Sequence, residues 1–307
     1  MDPAPTAPKM DTRTERLSVP GTARGERLDR FVARALAFSL ERARALIEAG
    51  SVRIRGKTCS IQRKLFGGEE IAVELAAPRA GAAAVAGPEL VALYDDRDCL
   101  VVSKPAGLPV LPVREGGPSA VGAARRLGEF DVDGCAAPGL PHRLDRDTSG
   151  CLLLARSDAA LAALHAAFEA GTVEKEYLAL VSGAPPDEGA LDTAYGRSRD
   201  DPRYFTTRIA SARRARLSYR VEERLRDAAL VRVVLDTGRT HQIRVQLADA
   251  GYPVLGDVTY GVPSPAISRQ ALHAARLAFP RPSDGARVEA RAELPEDLAA
   301  ALAALRA

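Results

Sequence analysis

One stretch, residues 76–88 (AAPRAGAAAVAGP), limits what this chain can fold into more than any other. Glycine and proline interrupt helix and strand alike, and side chains this small bury almost nothing, so the run reads as a linker. It divides the 307-residue chain into a short leading unit and a long following one. Their charge differs. Residues 15–75 carry 12 Lys and Arg against 8 acids, whereas residues 76–307 carry 29 against 30. Within the long unit, residues 197–226 hold ten arginines against four acids. Local cationic excess of this kind suits a polyanionic partner. Residues 1–14, rich in Pro, Ala and Thr and without hydrophobic period, read as a flexible tail.

Each unit has its own hydrophobic rhythm. In LDRFVARAL the apolar positions Leu28, Phe31, Val32, Ala35 and Leu36 form a helical stripe. Ser39 is placed to cap a second helix, LERARALIEA, which Gly50 ends. Val52 and Ile54 then alternate with Arg53 and Arg55, a turn is expected at Gly56-Lys57, and GGEEIAVEL supplies a closing strand. The short unit is thus helix, helix, strand, turn, strand. In residues 89–307 the strand candidates are ELVALYDD, CLVVSKP, EYLALVSG, RLSYRVEERL and ALVRVVLDTG. Helices are expected over DAALAALHAAFEAG, with Gly171 as its stop, and over THQIRVQLADAG from Thr240. Long strands with interspersed helices predict an α+β domain with a mixed, largely antiparallel sheet.

Several chemistries are excluded by what the chain lacks. No GxGxxG follows a strand, and neither GxxxxGK[ST] nor GxSxG is present. Cys59, Cys99, Cys135 and Cys151 form no CxxC pair, and His142, His165, His241 and His273 form no close metal pair, so no metal is expected. No apolar run is long enough to cross a membrane. The start lacks the apolar segment of a secretory signal, which makes the cytoplasm the expected compartment.

The densest polar cluster is PHRLDRDTSGCLLLA, residues 141–155, in which His142, Arg143, Asp145, Arg146, Asp147 and Thr148 precede an apolar run. Asp-x-Asp-Thr-Ser-Gly is also ordinary turn chemistry. What sets it apart is a carboxylate two residues from Arg143 and beside a buried strand. A guanidinium keeps such a carboxylate ionised, able to serve as nucleophile or base. The second cluster is LDTGRTHQIRVQLADAGYPVLGDVTYG, residues 235–261. Arg239 and Thr240 stand where a helix N-terminus can take a phosphate, and His241, Arg244 and Val245 share one helical face.

Five ordered segments, LVVSKPAGLPV, HRLDRDTSG, EKEYLALVSG, LDTGRTHQIRVQLADAGYPVLGDVTYG and QALHAARLAF, resemble successive motifs of the RluA-type pseudouridine synthase family. The resemblance covers roughly residues 89–295. Residues 26–75, RLDRFVA…SLERARALIEAGSVRIRGK, resemble a small RNA-binding module first named for a ribosomal small-subunit protein. The resemblance implies isomerisation of uridine in RNA, on a base extruded from its stack, without cofactor or metal. By motif, Asp145 is the catalytic carboxylate, Tyr177 packs on the target base and Arg244 pairs with the aspartate. Arg143 fills the vacated space or holds phosphate. Thr148, Arg239 and Thr240 are further substrate-contact candidates near the site, although Thr240 and His241 also suit a structural or helix-capping role. Arg53, Arg55 and Lys57 are the candidates in the leading module. The implied partner is RNA, ribosomal RNA of the large subunit before transfer RNA, and nothing demands more than a monomer.

The chain departs from the family pattern at Arg55, where many relatives have Asn, and at Leu111, Gln246 and Tyr252, where histidine is frequent. The last three bear on local and substrate contacts. Two other readings compete: a non-catalytic RNA-binding assembly factor, and a glycosidase pairing Asp145 with Asp147. Carboxylates two apart in a tight turn seldom oppose each other across a sugar, and no Trp is available as a sugar platform.

Overall fold

A computed structural model describes residues 12–36, 38, 40–76, 87–114, 116–132 and 138–306. Ser39, Cys135 and most of the stretch 76–88 lie outside the described residues. The leading unit comprises β1 (Thr12–Ser18), α1 (Leu28–Ala35), α2 (Leu40–Glu48), β2 (Val52–Ile54), β3 (Lys57–Thr58) and β4 (Glu70–Ala76). Its strands form an antiparallel sheet in the order β1-β4-β2-β3. Strand β1 begins at Thr12, inside the stretch expected to be a tail. TRTERLS has one apolar residue and no strand signal of its own; the ladder with β4, from Thr12↔Ala76 to Ser18↔Glu70, makes it a strand. The hairpin turn falls on Arg55-Gly56, one residue earlier than expected. Both have positive φ, 51° and 76°, as a two-residue hairpin turn requires, and Lys57 returns to pair with Ile54.

Phe31, Val32, Ile47, Val52, Ile54, Leu65, Ile71 and Val73 close the core of this unit. Asp29 is fully buried within it. Arg27 grips both its oxygens, at 3.0 and 2.8 Å, and Arg44 reaches across from α2 at 3.0 Å, so one acid ties the two helices together.

The long unit comprises β5 (Val91–Asp95), β6 (Cys99–Lys104), α3 (Ala120–Ala124), β7 (Ser149–Ala155), α4 (Asp158–Glu169), β8 (Glu174–Ser182), β9 (Glu188–Ala194), β10 (Gly196–Arg197), β11 (Phe205–Thr206), β12 (Arg214–Leu225), β13 (Ala228–Leu235), α5 (Gln242–Asp249), β14 (Leu272–Pro280), β15 (Arg287–Arg291) and α6 (Glu296–Arg306). The main sheet runs β5-β6-β7-β14-β8-β13-β12-β9, with β15 added to β14 and the hairpin β10–β11 apart. Every pairing is antiparallel except β7 with β14. This is the α+β, mostly antiparallel architecture expected from the sequence.

Strands β6 and β7 are buried on both faces. Leu100, Val102, Leu152 and Leu154 face one apolar cluster, while Val101, Cys151 and Leu153 face another with Leu164 of α4. Every residue of β7 is buried, so the loop that enters it is held at its C-terminal end. At the parallel register His273↔Ser149, Ala274↔Gly150, the two backbones almost touch. Gly150 has φ 111°, and a Cβ there would meet the Ala274 carbonyl oxygen at 2.2 Å, so only glycine fits.

On the face of β8 away from Tyr177, an ion-pair ladder crosses five strands. It links Arg220 and Glu222 of β12, Arg232 of β13, Glu176 and Glu174 of β8, Arg276 of β14, and Glu289 and Arg291 of β15. Arg287 joins Glu174 at 2.7 Å.

Candidate active site

The loop before β7 is wound as a turn, in which the Thr148 amide donates to the Asp145 carbonyl at 3.2 Å. Lys104, at the end of β6 and fully buried, anchors it from beneath. Its Nζ donates to the carbonyls of Pro105, Leu108 and Arg146 at 2.8, 2.9 and 2.8 Å. Burial pushes its pKa down to about 7, yet three donors are in use, as many as the protonated amine has. His142 also points inward: its Nε2 accepts the Leu153 amide at 2.9 Å and its ring stacks on Phe168. Burial drives its pKa down to about 4, so it is a neutral acceptor and takes no part in the pocket.

Asp145 is left facing the pocket, partly exposed. Its guanidinium partner is not Arg143, which is exposed and makes no ion pair among the described residues. It is Arg244 of α5, whose NH1 lies 2.9 Å from Asp145 Oδ2. Arg244 is only 5% exposed, and Asp257 holds its other edge through Nε at 2.6 Å and NH2 at 2.8 Å. Asp257 in turn accepts the amides of Thr259 and Tyr260 at 2.9 and 3.1 Å. Burial opposes the charge on Arg244, but the hydrogen bonds and charge of Asp257, then of Asp145, outweigh it and hold the guanidinium's pKa above its ordinary value. Burial likewise disfavours the Asp257 anion, and Arg244 more than offsets this, leaving its pKa lowered. The bidentate contact fixes the plane of Arg244, so the remaining NH1 is aimed at Asp145.

Helix α5 begins at Gln242 rather than at Thr240. The Gln242 side chain explains the shift: its Oε1 accepts the Arg239 amide at 3.0 Å and the Thr237 hydroxyl at 2.9 Å, winding the preceding loop. His241, just ahead of the helix, has φ 58° and offers no side-chain cap. Its Nε2 lies 3.8 Å from Asp145 Oδ1.

Arg143, Asp145, Thr148, Tyr177, Arg239, His241 and Arg244 therefore share one narrow pocket of about 60 Å³, floored by Leu144, Leu235 and Leu272. Asp145, Arg143, His241 and Arg244 also border a wider groove of about 760 Å³ that runs past Arg146, Val258, Thr259 and Arg269. Tyr177 is buried, and burial, then the Asp145 charge, raise its pKa, so its hydroxyl stays protonated. Thr148 is buried with its hydroxyl accepting from Gln270 at 2.9 Å, a structural contact at the pocket wall. Thr240 is exposed and outside the lining residues, with its carbonyl taken by the Tyr195 hydroxyl at 2.6 Å. Asp147 pairs with its neighbour Arg146. Arg53, Arg55 and Lys57 are exposed on the hairpin of the leading sheet and line neither the pocket nor the groove.

Gln246, one of the departures from the family pattern, does not reach the pocket. It is buried, and its amide donates to Thr193 Oγ1 at 2.9 Å and to the Ala215 carbonyl at 3.0 Å, fastening α5 to the sheet. Among the described residues no three His, Cys, Asp or Glu side chains cluster as a metal site. Sequence reasoning passed over Asp257, Lys104 and Tyr260, and assigned His241 a structural place. A signal for Asp257 did exist: it is the one acid in VLGDVTYG, and a helix-borne Arg that turns inward needs such a partner.

Comparison with known proteins bears directly on this arrangement. Residues 98–249, which include Asp145, Tyr177 and Arg244, match the family model for RNA pseudouridylate synthase. An uncharacterized RNA pseudouridine synthase of Bacillus subtilis is 35% identical over 92% of this chain and 95% of its own length. The ribosomal large subunit pseudouridine synthase D of Xanthomonas campestris is 34% identical over 97% of this chain and 94% of its own. Among solved structures, human RNA pseudouridylate synthase domain containing 1 superposes with TM-score 0.53 at 25% identity, over 74% of this chain and 97% of that one. Relatives this similar over nearly their full length, together with the family match across the pocket, place the chain in the RluA-type RNA pseudouridine synthase family, whose members isomerise uridine in RNA to pseudouridine.

Proposed function

We propose that this isomerase acts on large-subunit ribosomal RNA with Asp145 as its catalytic carboxylate. One observation carries the reading of Asp145. A buried, twice-anchored guanidinium grips Oδ2, while the carboxylate as a whole faces a pocket walled by Tyr177. In the reaction the bond from ribose C1′ to N1 breaks, the base turns, and C5 bonds to C1′. C5 gives up its hydrogen as a proton and N1 gains one, so the product is an isomer. The sugar passes through positive character at C1′, which an adjacent anion stabilises. Arg244 holds that carboxylate in place through the contact of NH1 with Oδ2 at 2.9 Å. Tyr177 offers a ring face and edge to an extruded base, with an uncharged hydroxyl. Arg143 and Arg239, both exposed at the rim, are positioned to meet backbone phosphate.

Ribosomal RNA is favoured because relatives matched over almost the whole chain, including the Xanthomonas campestris protein, carry that substrate in their names. The exposed cations Arg53, Arg55 and Lys57 of the leading unit are suited to a second RNA contact. Among the described residues no helix is long and apolar enough to cross a membrane.

The test is tritium release from RNA labelled at uridine C5, using ribosomal and transfer RNA pools from cells lacking this protein. Release from the ribosomal pool by wild type, with a loss of more than about 10³-fold in Asp145→Asn, is the expected result. Release from the transfer RNA pool alone would move the substrate. Full turnover by Asp145→Asn would remove the aspartate from the chemistry.

A further inference from the structure

Asp145 has two oxygens, and Arg244 accounts for one. The other faces His241, which the sequence had suggested as a mere cap. We propose that His241 is a positioning residue for the catalytic carboxylate, its ring tautomer set by Tyr260 and, through Tyr260, by the β10–β11 arm. This rests on the reading of Asp145 as the catalytic carboxylate.

The Phe205 amide of β11 donates to Tyr260 Oη at 3.0 Å. Tyr260 Oη also lies 3.0 Å from His241 Nδ1. With the Phe205 amide donating to the same oxygen, Nδ1 is the acceptor within hydrogen-bond reach of the Tyr260 hydroxyl among the described residues, and the relay assigns the Tyr260 proton to it. A neutral imidazole that accepts at Nδ1 carries its proton on Nε2. That Nε2–H is the group 3.8 Å from Asp145 Oδ1, longer than a hydrogen bond and within reach of one on a small rotation. The backbone puts the ring there. His241 occupies the left-handed region, uncommon for a residue with a side chain. Tyr195 holds the peptide before it through the Thr240 carbonyl, and the first turn of α5 holds the one after it through Val245 N to His241 O at 3.0 Å.

Tyr260 serves both arms of the clamp. Its hydroxyl sets His241, and the Arg244 guanidinium sits over its ring at 5.1 Å. Phe205 completes the backing, stacked on Tyr195 at 5.8 Å and edge-on to His241 at 5.8 Å. Seating of the arginine-bearing arm is therefore coupled to the orientation of Asp145. The charged and titratable groups facing His241 are Asp145, Arg244, Asp257, Arg143 and Tyr260. Burial, opposed by Asp145 and reinforced by Arg244, favours the neutral ring. Protonation makes Nδ1 a donor and leaves the Tyr260 proton without its acceptor.

The experiment measures kcat, KM and their pH dependence for Tyr260→Phe, His241→Ala, His241→Gln and the Tyr260→Phe/His241→Gln double variant, on C5-tritiated ribosomal RNA, with thermal melting as a folding control. Tyr260→Phe and His241→Ala are each expected to lower kcat about tenfold with KM within twofold. Tyr260→Phe should move the acid limb of kcat to higher pH, because Nδ1 loses the donor that favours the neutral ring. His241→Gln places a non-titrating N–H near the Nε2 position, and should restore part of kcat and lose the acid limb due to histidine. Adding Tyr260→Phe to His241→Gln should then cost little more. An equal loss from Tyr260→Phe in both backgrounds, or an unmoved acid limb, would overturn the relay. Turnover by Asp145→Asn, assayed alongside, would instead mark failure of the catalytic reading itself.

Discussion

The loop carrying Asp145 and the hairpin carrying Arg55 are both short polar connections into a strand, and they are built in opposite ways. Around Asp145 the charges that hold the site are buried and answered, Lys104 by three carbonyls, Arg244 by two carboxylates, Asp257 by a guanidinium and two amides, while Arg143 and Arg146 of the same loop stay exposed. On the hairpin, Arg53, Arg55 and Lys57 face solvent, and the closest ion pair is Arg53 with Glu74 at 3.9 Å. Groups of the first kind are fixed before substrate arrives, which suits chemistry needing a particular atom in a particular place. Groups of the second kind adapt to a phosphate backbone and contribute mainly through net charge.

The contrast can be broken at several points. The largest effect is expected from Asp257→Asn, which leaves Arg244 buried with its main counter-charge removed. Stability should fall by about 3–5 kcal/mol and kcat with it, checked by denaturant unfolding and tritium release. A near-neutral change would mean the pocket does not depend on that anchor. Next is pH. The unfolded chain protonates His142 near its ordinary pKa of 6.5, whereas the folded ring resists until about pH 4. Between those values the unfolded state binds more protons, so stability falls as pH falls, by about 3 kcal/mol at most from this residue. His142→Gln should flatten that slope, measured by unfolding from pH 7 to pH 4; an unaltered slope would relocate the effect. The smallest effects belong to the hairpin. Arg53→Glu with Arg55→Glu should weaken RNA binding and reduce the slope of log affinity against log salt by about 2, without lowering stability. Arg55→Asn should weaken binding while raising stability by about 1 kcal/mol, because Asn tolerates the left-handed turn. Unchanged RNA affinity in both would make the leading unit a structural cap.

The same contrast explains what could be read from the sequence. Alternating apolar residues placed the long strands, and the polar loop next to CLLLA located Asp145, because burial of β7 is written locally. The parallel pairing of β7 with β14 was not legible, since it joins residues 124 positions apart and shows locally only as the lone Gly150. Strand β1 was missed because its partner, not its composition, makes it a strand. Helix α5 was started two residues early because Gln242 folds back on Thr237 and Arg239. His241, Tyr260 and Asp257 lie along one stretch, but their convergence on Asp145 depends on where α5 docks, and spacing alone does not carry that.

The ion-pair ladder across β12, β13, β8, β14 and β15 has a consequence for how a large polyanion meets this enzyme. Opposite charges there alternate at about one strand spacing, roughly 5 Å, shorter than the screening length of about 8 Å at physiological salt. Their fields cancel before ions in solution need to screen them. With Arg287 included, the ladder's five arginines meet four glutamates, so it presents RNA with far less field than five unpaired arginines would. Arginines held in such pairs contribute less to drawing in a polyanion than exposed, unpaired ones such as Arg143.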